Sequence, residues 1–532
     1  ALTDANLIIE HSPGRFTLHD LLRTCAAELA ETLDSETDRH AARRRVQHWY
    51  LQTVQTAADI LYPEMLRLPT DGTPAVGSAP LRLADPVQAR GWLEAERANL
   101  ISVIAHAAEH GLRPVAWQLA HNLRGFWWLG SYLMDGLTAA TSAEAAARGE
   151  ADLVGQASAQ LSLGTIRHYQ GRHLAALEHY ESAVELARNA GWADGRATAL
   201  MNSSISHALQ GYLDRAVAQL TEALALSRGL DQRAIVANNL SNLGVVYHEL
   251  GRLEQAAECL TESLALFREV GAPGAACAAP LHNLGSVARD RGRLKDAHAH
   301  AAEALALCRE HGNRTGETYT LNTFATVQRD TGQYPKALAT AQAAARLASE
   351  VGDRNTEAAA RNTLGTVHRC LNRRQHALEN HQQALDLARQ AGDPSPELGA
   401  LLGLAAVHHD LGHDDRAQTL AARALDLAHE RGYRLNEGRA LTLLAEICLS
   451  QLDYSAANTY ANQALDCHRQ TGYRHGEART HVVLGHILQR AGDADAALRD
   501  WRLAHAHFID IGALDAAKTA ALLAKGAPMH RG

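Results

Sequence analysis

The stretch Leu243-Gly244-Val245-Val246-Tyr247-His248-Glu249-Leu250-Gly251-Arg252-Leu253-Glu254-Gln255-Ala256 decides the fold. An apolar run carries a glycine inside it, a second glycine follows seven places later, and a new apolar period then begins. The same frame recurs along the chain. Leu163-Gly164, Leu284-Gly285, Leu364-Gly365 and Leu484-Gly485 repeat the first pair, and Ser204, Ala325, Ala405 and Ala445 fill that slot in the intervening units. The second column reads Gly171, Gly211, Gly251, Gly292, Gly332, Asn372, Gly412 and Gly492, at steps of 40 or 41 residues, with Leu452 standing where the last step doubles. A third column closes the units at Gly191, Gly271, Gly312, Gly352, Gly392, Gly432, Gly472 and Gly512.

Each column has a physical cause. A small residue in the middle of a helix sacrifices up to about 1 kcal/mol of helix propensity when it is glycine, and what it gains is close approach by a neighbouring helix. The second and third columns follow helical stretches, where the chain must turn left-handed; glycine does so freely and Asn372 is the usual substitute. Between them runs an amphipathic helix pattern such as Ala256, Leu260, Leu264 and Phe267. Each unit therefore reads helix, tight turn, helix, loop.

Composition agrees. The 532 residues are 46% hydrophobic but only 5% aromatic, and Ala and Leu, both good helix formers, fill the difference. β-branched runs are scarce, so almost no sheet is expected. The net charge of -8 argues against a general nucleic-acid-binding surface. Seven cysteines, Cys25, Cys259, Cys277, Cys308, Cys370, Cys448 and Cys467, lack disulfide or metal spacing, which fits buried free thiols in a reducing, cytoplasmic setting. Neither a signal peptide nor an apolar run of about 18 residues is visible, so no membrane association is expected. The first residue is Ala1, and the sequence reads as a fragment of something longer.

These columns resemble the tetratricopeptide repeat in its longer form of about 40 residues, whose Leu-Gly, Tyr, Gly and Ala positions appear as Leu243, Gly244, Tyr247, Gly251 and Ala256. The resemblance implies an all-α, right-handed α-solenoid of helical hairpins. Nine units fill residues 155–512, an irregular first repeat around Gly130 lies within residues 87–154, and residues 513–532 form a capping helix and tail.

A second resemblance lies at the start. Phe16-Thr17-Leu18-His19-Asp20-Leu21-Leu22-Arg23 is similar to the end of the winged-helix subdomain of NB-ARC signalling ATPases. Residues 1–34 would be that remnant, 35–62 a basic connecting helix, and 63–86 a linker separating two folded parts. In that family a hydrophobic-His-Asp motif sets its histidine against the nucleotide phosphates, so the resemblance implies that His19 contacts bound ATP or ADP in the parent protein. With long tetratricopeptide units following, the order of parts resembles the C-terminal portion of the large Streptomyces antibiotic regulatory proteins, transcription activators with DNA-binding, NB-ARC and repeat domains. The resemblance implies a cytoplasmic regulatory sensor that controls its own upstream ATPase and DNA-binding modules. A phosphate-binding loop needs Gly-Lys followed by Ser or Thr, and no Gly-Lys pair occurs here. The chain itself is thus expected to lack cofactors, ATPase activity and direct nucleic-acid binding. The competing reading is a free-standing scaffold that holds a partner protein.

In such solenoids the first helices line the concave face. With the Leu-Gly glycine as position 8, position 12 presents His248, Arg289, Arg329 and Arg369, position 5 Asn322 and Asn362, position 6 Asn242 and Asn283, and position 2 Asn238 and Tyr319. Asn is a poor residue inside a helix, and a groove amide can both donate to and accept from an extended peptide backbone. The Arg ladder would attract an acidic or phosphorylated segment, gripping it bidentately. Against this, Asp290, Asp330 and Asp410 each follow the basic column by one residue and could pair with Arg of an adjacent unit, and Asn242 and Asn283 could bridge hairpins. The 30 histidines lack i, i+4 pairs suited to a shared metal, and Phe126, Trp127 and Trp128 read as packing for the first repeat. On the groove reading, Arg329→Ala weakens partner binding in a pull-down or calorimetric titration while the thermal melt stays nearly unchanged.

Overall fold

A computed structural model describes residues 8–12, 15–63, 65–68, 80–130 and 132–526. The chain divides into two compact units, Ala1–Arg196 and Ala197–Gly532. In chain order the first holds β1 (Ile8–Ser12), β2 (Arg15–Leu18), α1 (Asp20–Leu33), α2 (Glu36–Leu61), α3 (Pro86–His110), α4 (Arg113–Asn122), α5 (Arg124–Leu129), α6 (Leu133–Gly149), α7 (Leu153–Tyr169) and α8 (His173–Asn189). After α9 (Ala193–Leu209) come α10 (Leu213–Gly229), α11 (Arg233–Glu249), α12 (Leu253–Glu269), α13 (Gly274–Asp290), α14 (Leu294–Glu310), α15 (Arg314–Asp330) and α16 (Tyr334–Val351). Then follow α17 (Arg354–Cys370), α18 (Arg374–Ala391), α19 (Pro394–Asp410), α20 (Asp414–Arg431), α21 (Arg434–Ser450), α22 (Tyr454–Thr471), α23 (Arg474–Arg490), α24 (Ala494–Asp510) and α25 (Asp515–Gly526). Among the described residues, α7 to α24 alternate as nine hairpins, and none of the helices is long and apolar enough to cross a membrane.

The small-residue column works by close approach. A Cβ on Gly244 would stand 2.6 Å from Leu260 Cγ, and one on Gly164 the same distance from the Tyr180 ring. Each odd-numbered helix is pressed by its partner at that point. The partner's apolar stripe is fully used: Ala256, Leu260, Leu264 and Phe267 are all buried. Left-handed backbone recurs where the second and third columns predict it, at Asp231 (φ 52°), a residue type that tolerates it, and at two residues whose side chains do not favour it, Leu452 (φ 65°) and Ala151 (φ 53°). The hairpin geometry overrides the local penalty of about 1–2 kcal/mol at these places. Gly130 is different. Its φ is -82°, and α5 ends there without a left-handed turn, so this first stretch departs from the hairpin pattern.

In the second unit, odd-numbered helices from α11 to α23 touch the odd-numbered helix of the next hairpin. That puts them on the shorter, inner arc of the winding. The winding is tight enough for hairpins far apart in sequence to meet. Thr471 Cγ2 lies 2.6 Å from where a Gly251 Cβ would be, Ile511 packs on Gly292, and Leu514 on Gly332. Arg431 Nη1 donates to the Gln210 carbonyl at 3.0 Å, and Ser395 Oγ donates to the Glu249 carboxylate at 3.3 Å.

Sheet is almost absent among the described residues, as expected: β1 and β2 of the first unit pair antiparallel, with Ile8 opposite Leu18. Phe16, Thr17 and Leu18 thus form a strand leading into α1, which buries none of its residues. One expectation for this unit needs correcting: the span 63–86 does not separate two folded parts. Leu51 and Val54 of α2 share one core with Leu93, Leu100 and Ile104 of α3 and Trp117 of α4, and Met65, Leu68 and Leu83 of the span pack against it. His121 ties the span down, its Nε2 lying 2.7 Å from the Leu66 carbonyl; residues 64 and 69–79 lie outside the described residues. The apolar face of α2 needs α3 and α4 to cover it, which the Pro- and Gly-containing sequence between them concealed. Phe126 and Trp127 are buried, and Trp128 stacks on Tyr169 at 4.9 Å.

Gly251 and Gly312 test the contact between non-adjacent hairpins. Both are left-handed, but a Cβ on Gly312 meets nothing within 4 Å. Gly312→Ala should lose about 1–2 kcal/mol from backbone strain alone. Gly251→Ala should lose about 1–3 kcal/mol more through overpacking against Thr471, read as the difference between two denaturant unfolding curves.

Candidate functional site

The inner wall of the second unit carries most of the residues expected to face a ligand, and their own neighbours engage most of them. Arg289 donates to Asp290 Oδ1 through Nε and Nη2 at 3.1 and 2.8 Å, and to Thr326 Oγ1 at 2.9 Å. Arg329 donates to Asp330 Oδ1 through Nε and Nη2 at 2.7 and 2.6 Å. Arg369 grips Asp410 of the next hairpin bidentately at 2.6 and 3.2 Å. Each Arg of the ladder therefore has a resident carboxylate, and the wall is a set of ion pairs with little uncompensated positive charge. Arg329 and Asp330 are only 22% and 25% exposed. Truncating Arg329 strips a half-buried acid of its partner, so the expectation of an unchanged thermal melt gives way to a loss of about 1–3 kcal/mol.

Asp290 is the most heavily partnered group. Besides Arg289 it meets His248 Nε2 at 2.8 Å, and Arg439 Nη2 donates to it at 3.3 Å across the inside of the winding. Burial opposes its charge, but Arg289, His248 and Arg439 outweigh burial and hold the carboxyl far below its usual range. Arg439 in turn lies 4.7 Å over the Tyr473 ring, and Arg479 on the next inner helix pairs with Glu446 at 2.5 and 2.8 Å.

The asparagines divide into two kinds. Asn322 Oδ1 accepts from Thr363 Oγ1 at 2.7 Å, and Asn362 Nδ2 donates to the Pro396 carbonyl at 2.9 Å, so each ties its hairpin to the next. Asn242 and Asn283 are half-buried, and their amides make no hydrogen bond among the described residues. Tyr319 is 40% exposed and stacks on His282 at 5.9 Å and 14°. His19, in the other unit, is exposed and precedes α1 without a side-chain cap hydrogen bond. Among the described residues no group of three or more His, Cys, Asp or Glu is arranged to hold a metal.

Sequence reading missed the far side of the wall. Arg439 and Arg479 occupy position 2, the column that supplied Asn238 and Tyr319, and following that column to its end would have found both. Glu249 and Asp393 had no such signal. Asp393 caps α19, accepting from the Ser395 amide at 3.0 Å, while the Ser395 hydroxyl reaches Glu249. Burial is the main cause that raises both carboxyls, Asp393 to about 7, and Glu249 adds to the shift at Asp393.

Comparison with known proteins agrees with this architecture. The tetratricopeptide-repeat family profile matches residues 155–229, 235–310 and 317–390, and the profile of anaphase-promoting complex subunit 5 matches 372–435. No curated protein matches the chain. Among solved structures, a Rap protein complexed with Competence and Sporulation Factor is similar over 67% of this chain and 98% of its own, at 12% identity and a TM-score of 0.54. A tetratricopeptide repeat protein from Parabacteroides merdae ATCC 43184 aligns over 55% of this chain and 98% of its own, at 19% identity and a TM-score of 0.34. The chain is an all-α helical-repeat protein of tetratricopeptide type, and its repeats form a protein-interaction scaffold.

The buried acid pair gives this wall a pH dependence of definite sign. Asp393 is protonated more readily folded than unfolded, so its contribution to stability is full below about pH 4 and is lost as pH rises through about 7. Asp393→Asn keeps an oxygen to cap α19 and removes the charge. It should flatten the decline in stability between about pH 4 and 7, by on the order of a few kcal/mol at neutral pH, measured by urea unfolding at several pH values; an unaltered pH profile would count against the assignment.

Proposed function

We propose that this chain is a regulatory scaffold whose inner wall holds an extended segment of a partner protein or peptide. The observation that carries the reading is the pair Asn242 and Asn283. They stand one hairpin apart on the inner helices α11 and α13, half-buried and unengaged, beside a ladder whose arginines Arg289, Arg329 and Arg369 each hold a carboxylate. A half-buried amide without a partner gives up water for nothing, and a peptide backbone offers both the donor and the acceptor it lacks. The Arg ladder adds charge selectivity. Arg369, 27% exposed against 15% for Arg289, is the member an acidic or phosphorylated side chain reaches most easily, in exchange for Asp410.

The finer reading makes this scaffold the sensor of a transcription regulator of secondary metabolism, controlling an attached NB-ARC ATPase and DNA-binding module, with His19 on the nucleotide phosphates of that parent. Leu18-His19-Asp20 and the order of the following parts support it, as does α1, where Leu21, Leu29 and Leu33 are exposed. A free-standing scaffold fits the repeats equally well. The reading frame of the parent gene separates the two: a Gly-Lys-Ser/Thr loop encoded upstream favours the regulator, and a start codon directly before Ala1 favours the scaffold.

The groove is tested by recovering the proteins and peptides that co-purify with the chain from its native host, then titrating the synthetic binding segment calorimetrically. Asn242→Ala/Asn283→Ala should bind roughly tenfold more weakly, the loss of one or two net hydrogen bonds, with an unaltered melt. Equal affinity in wild type and variant would place the partner elsewhere.

A further inference from the structure

A second candidate site lies outside the inner wall and does not depend on the reading above. Where windings of the second unit meet, a cleft of about 1300 Å³ opens between the α11–α12 and α13–α14 turns on one rim and the ends of α22 and α24 on the other. Gly251 against Thr471 and Gly292 against Ile511 form its floor. Six Arg and Lys side chains line it against three carboxylates, a local reversal of the chain's net charge of -8.

Internal pairing leaves much of that charge unused. Arg291 is held by Glu254, and Arg474 by Asp510 at 2.8 Å. Arg469 turns to Glu477 at 3.2 Å. Arg293 lies 3.9 Å from Asp296, both exposed. Arg252 is exposed and only covers the Tyr247 ring at 5.7 Å, and Lys295 is exposed with no ion pair among the described residues. Three cations on adjacent turns, Arg252, Arg293 and Lys295, are thus free or loosely held at the mouth of one cleft.

We propose that this cleft binds a multiply charged phosphate anion, either free polyphosphate or a phosphorylated side chain. Two features select phosphate chemistry. The guanidinium and ammonium groups of Arg252, Arg293 and Lys295 gather along one rim, with the paired Arg469 and Arg474 facing them, which suits an anion with several oxygens. The first-turn residues of α12 and α14 line the same cleft, and neither helix has a side-chain cap at Arg252 or Arg293, so backbone amides add to the cationic side chains. A nucleotide fits less well, because the lining holds no Phe, Tyr or Trp to stack on a base, with His298 its one ring. A bound phosphate that drew Arg474 away from Asp510 would bridge the two rims.

Calorimetric titration of the full chain with tripolyphosphate at about 150 mM salt tests the site, with a phosphoserine peptide and its unmodified form as a second arm. Binding should weaken at least tenfold in Arg252→Glu/Lys295→Glu, and Arg346→Ala, an exposed α16 side chain outside both the cleft and the inner wall, should leave it unchanged. Tighter binding of the phosphopeptide than of tripolyphosphate assigns the site to a phosphorylated partner; the reverse order assigns it to free polyphosphate. If the double variant melts early, Lys295→Ala, with its exposed side chain, is read in its place. Absence of binding by both probes, equal affinity in the variants, or equal affinity for sulfate overturns the proposal.

Discussion

Two methyl-sized contacts, Thr471 on Gly251 and Ile511 on Gly292, set the tightness of winding on which the second unit depends. A side chain at either glycine would push apart hairpins more than 200 positions apart in sequence. Because the backbone can approach there, the inner helices curve far enough for α21 to face α13, and only then can Arg439 reach Asp290. The Arg439–Asp290 pair across the inner wall and the cationic cleft outside it both follow from that curvature.

The inner wall treats its acids in opposite ways. Asp290 has Arg289, Arg439 and His248 around it and is held ionised despite burial. Asp393 is as deeply placed, but its charged neighbours include Glu249 and Asp353, and its carboxyl rises to about 7. Burial costs both groups similarly, so the count and sign of neighbours decide. A wall built in this way combines permanent ion pairs with a carboxyl that gains or loses its proton near neutrality.

Much of the fold was legible because repeats write their geometry locally. Gly244 is small because Leu260 presses on it, and Gly251 is left-handed because a helix ends there; both causes lie within twenty residues. Leu452 and Ala151 show where that legibility stops, since their left-handed backbone is imposed by the hairpin and not signalled by the residue. The β1–β2 pair went unread because both strands are short, although the sequence Pro13-Gly14 between them is a turn signal. The span 63–86 looked like a separator because nothing local reveals that Met65 and Leu68 lie on the core of α2, α3 and α4. At the inner wall, the columns located Arg289, Arg329 and Arg369 and offered Asp290, Asp330 and Asp410 as partners from adjacent units; Arg369 does pair with Asp410 of the next hairpin, whereas Arg289 and Arg329 turn chiefly to the aspartate next to them in sequence. Pairs such as Arg439 with Asp290, 149 positions apart, depend on the winding, which no window of sequence contains.

A linear stack of repeats ordinarily unfolds piecemeal, since each unit touches only its neighbours and the ends fray first. The contacts of Gly251, Gly292 and Gly332 with Thr471, Ile511 and Leu514 break that one-dimensional logic. They join the middle of the second unit to its C-terminal end, so the last hairpins cannot melt without releasing the central ones. They also raise the mean sequence separation of native contacts, which slows folding: the C-terminal hairpins must be synthesised and formed before the central ones gain their full protection. Evolutionary gain or loss of a hairpin between the paired positions would shift every one of these contacts at once, which ties the number of repeats in this unit to its winding.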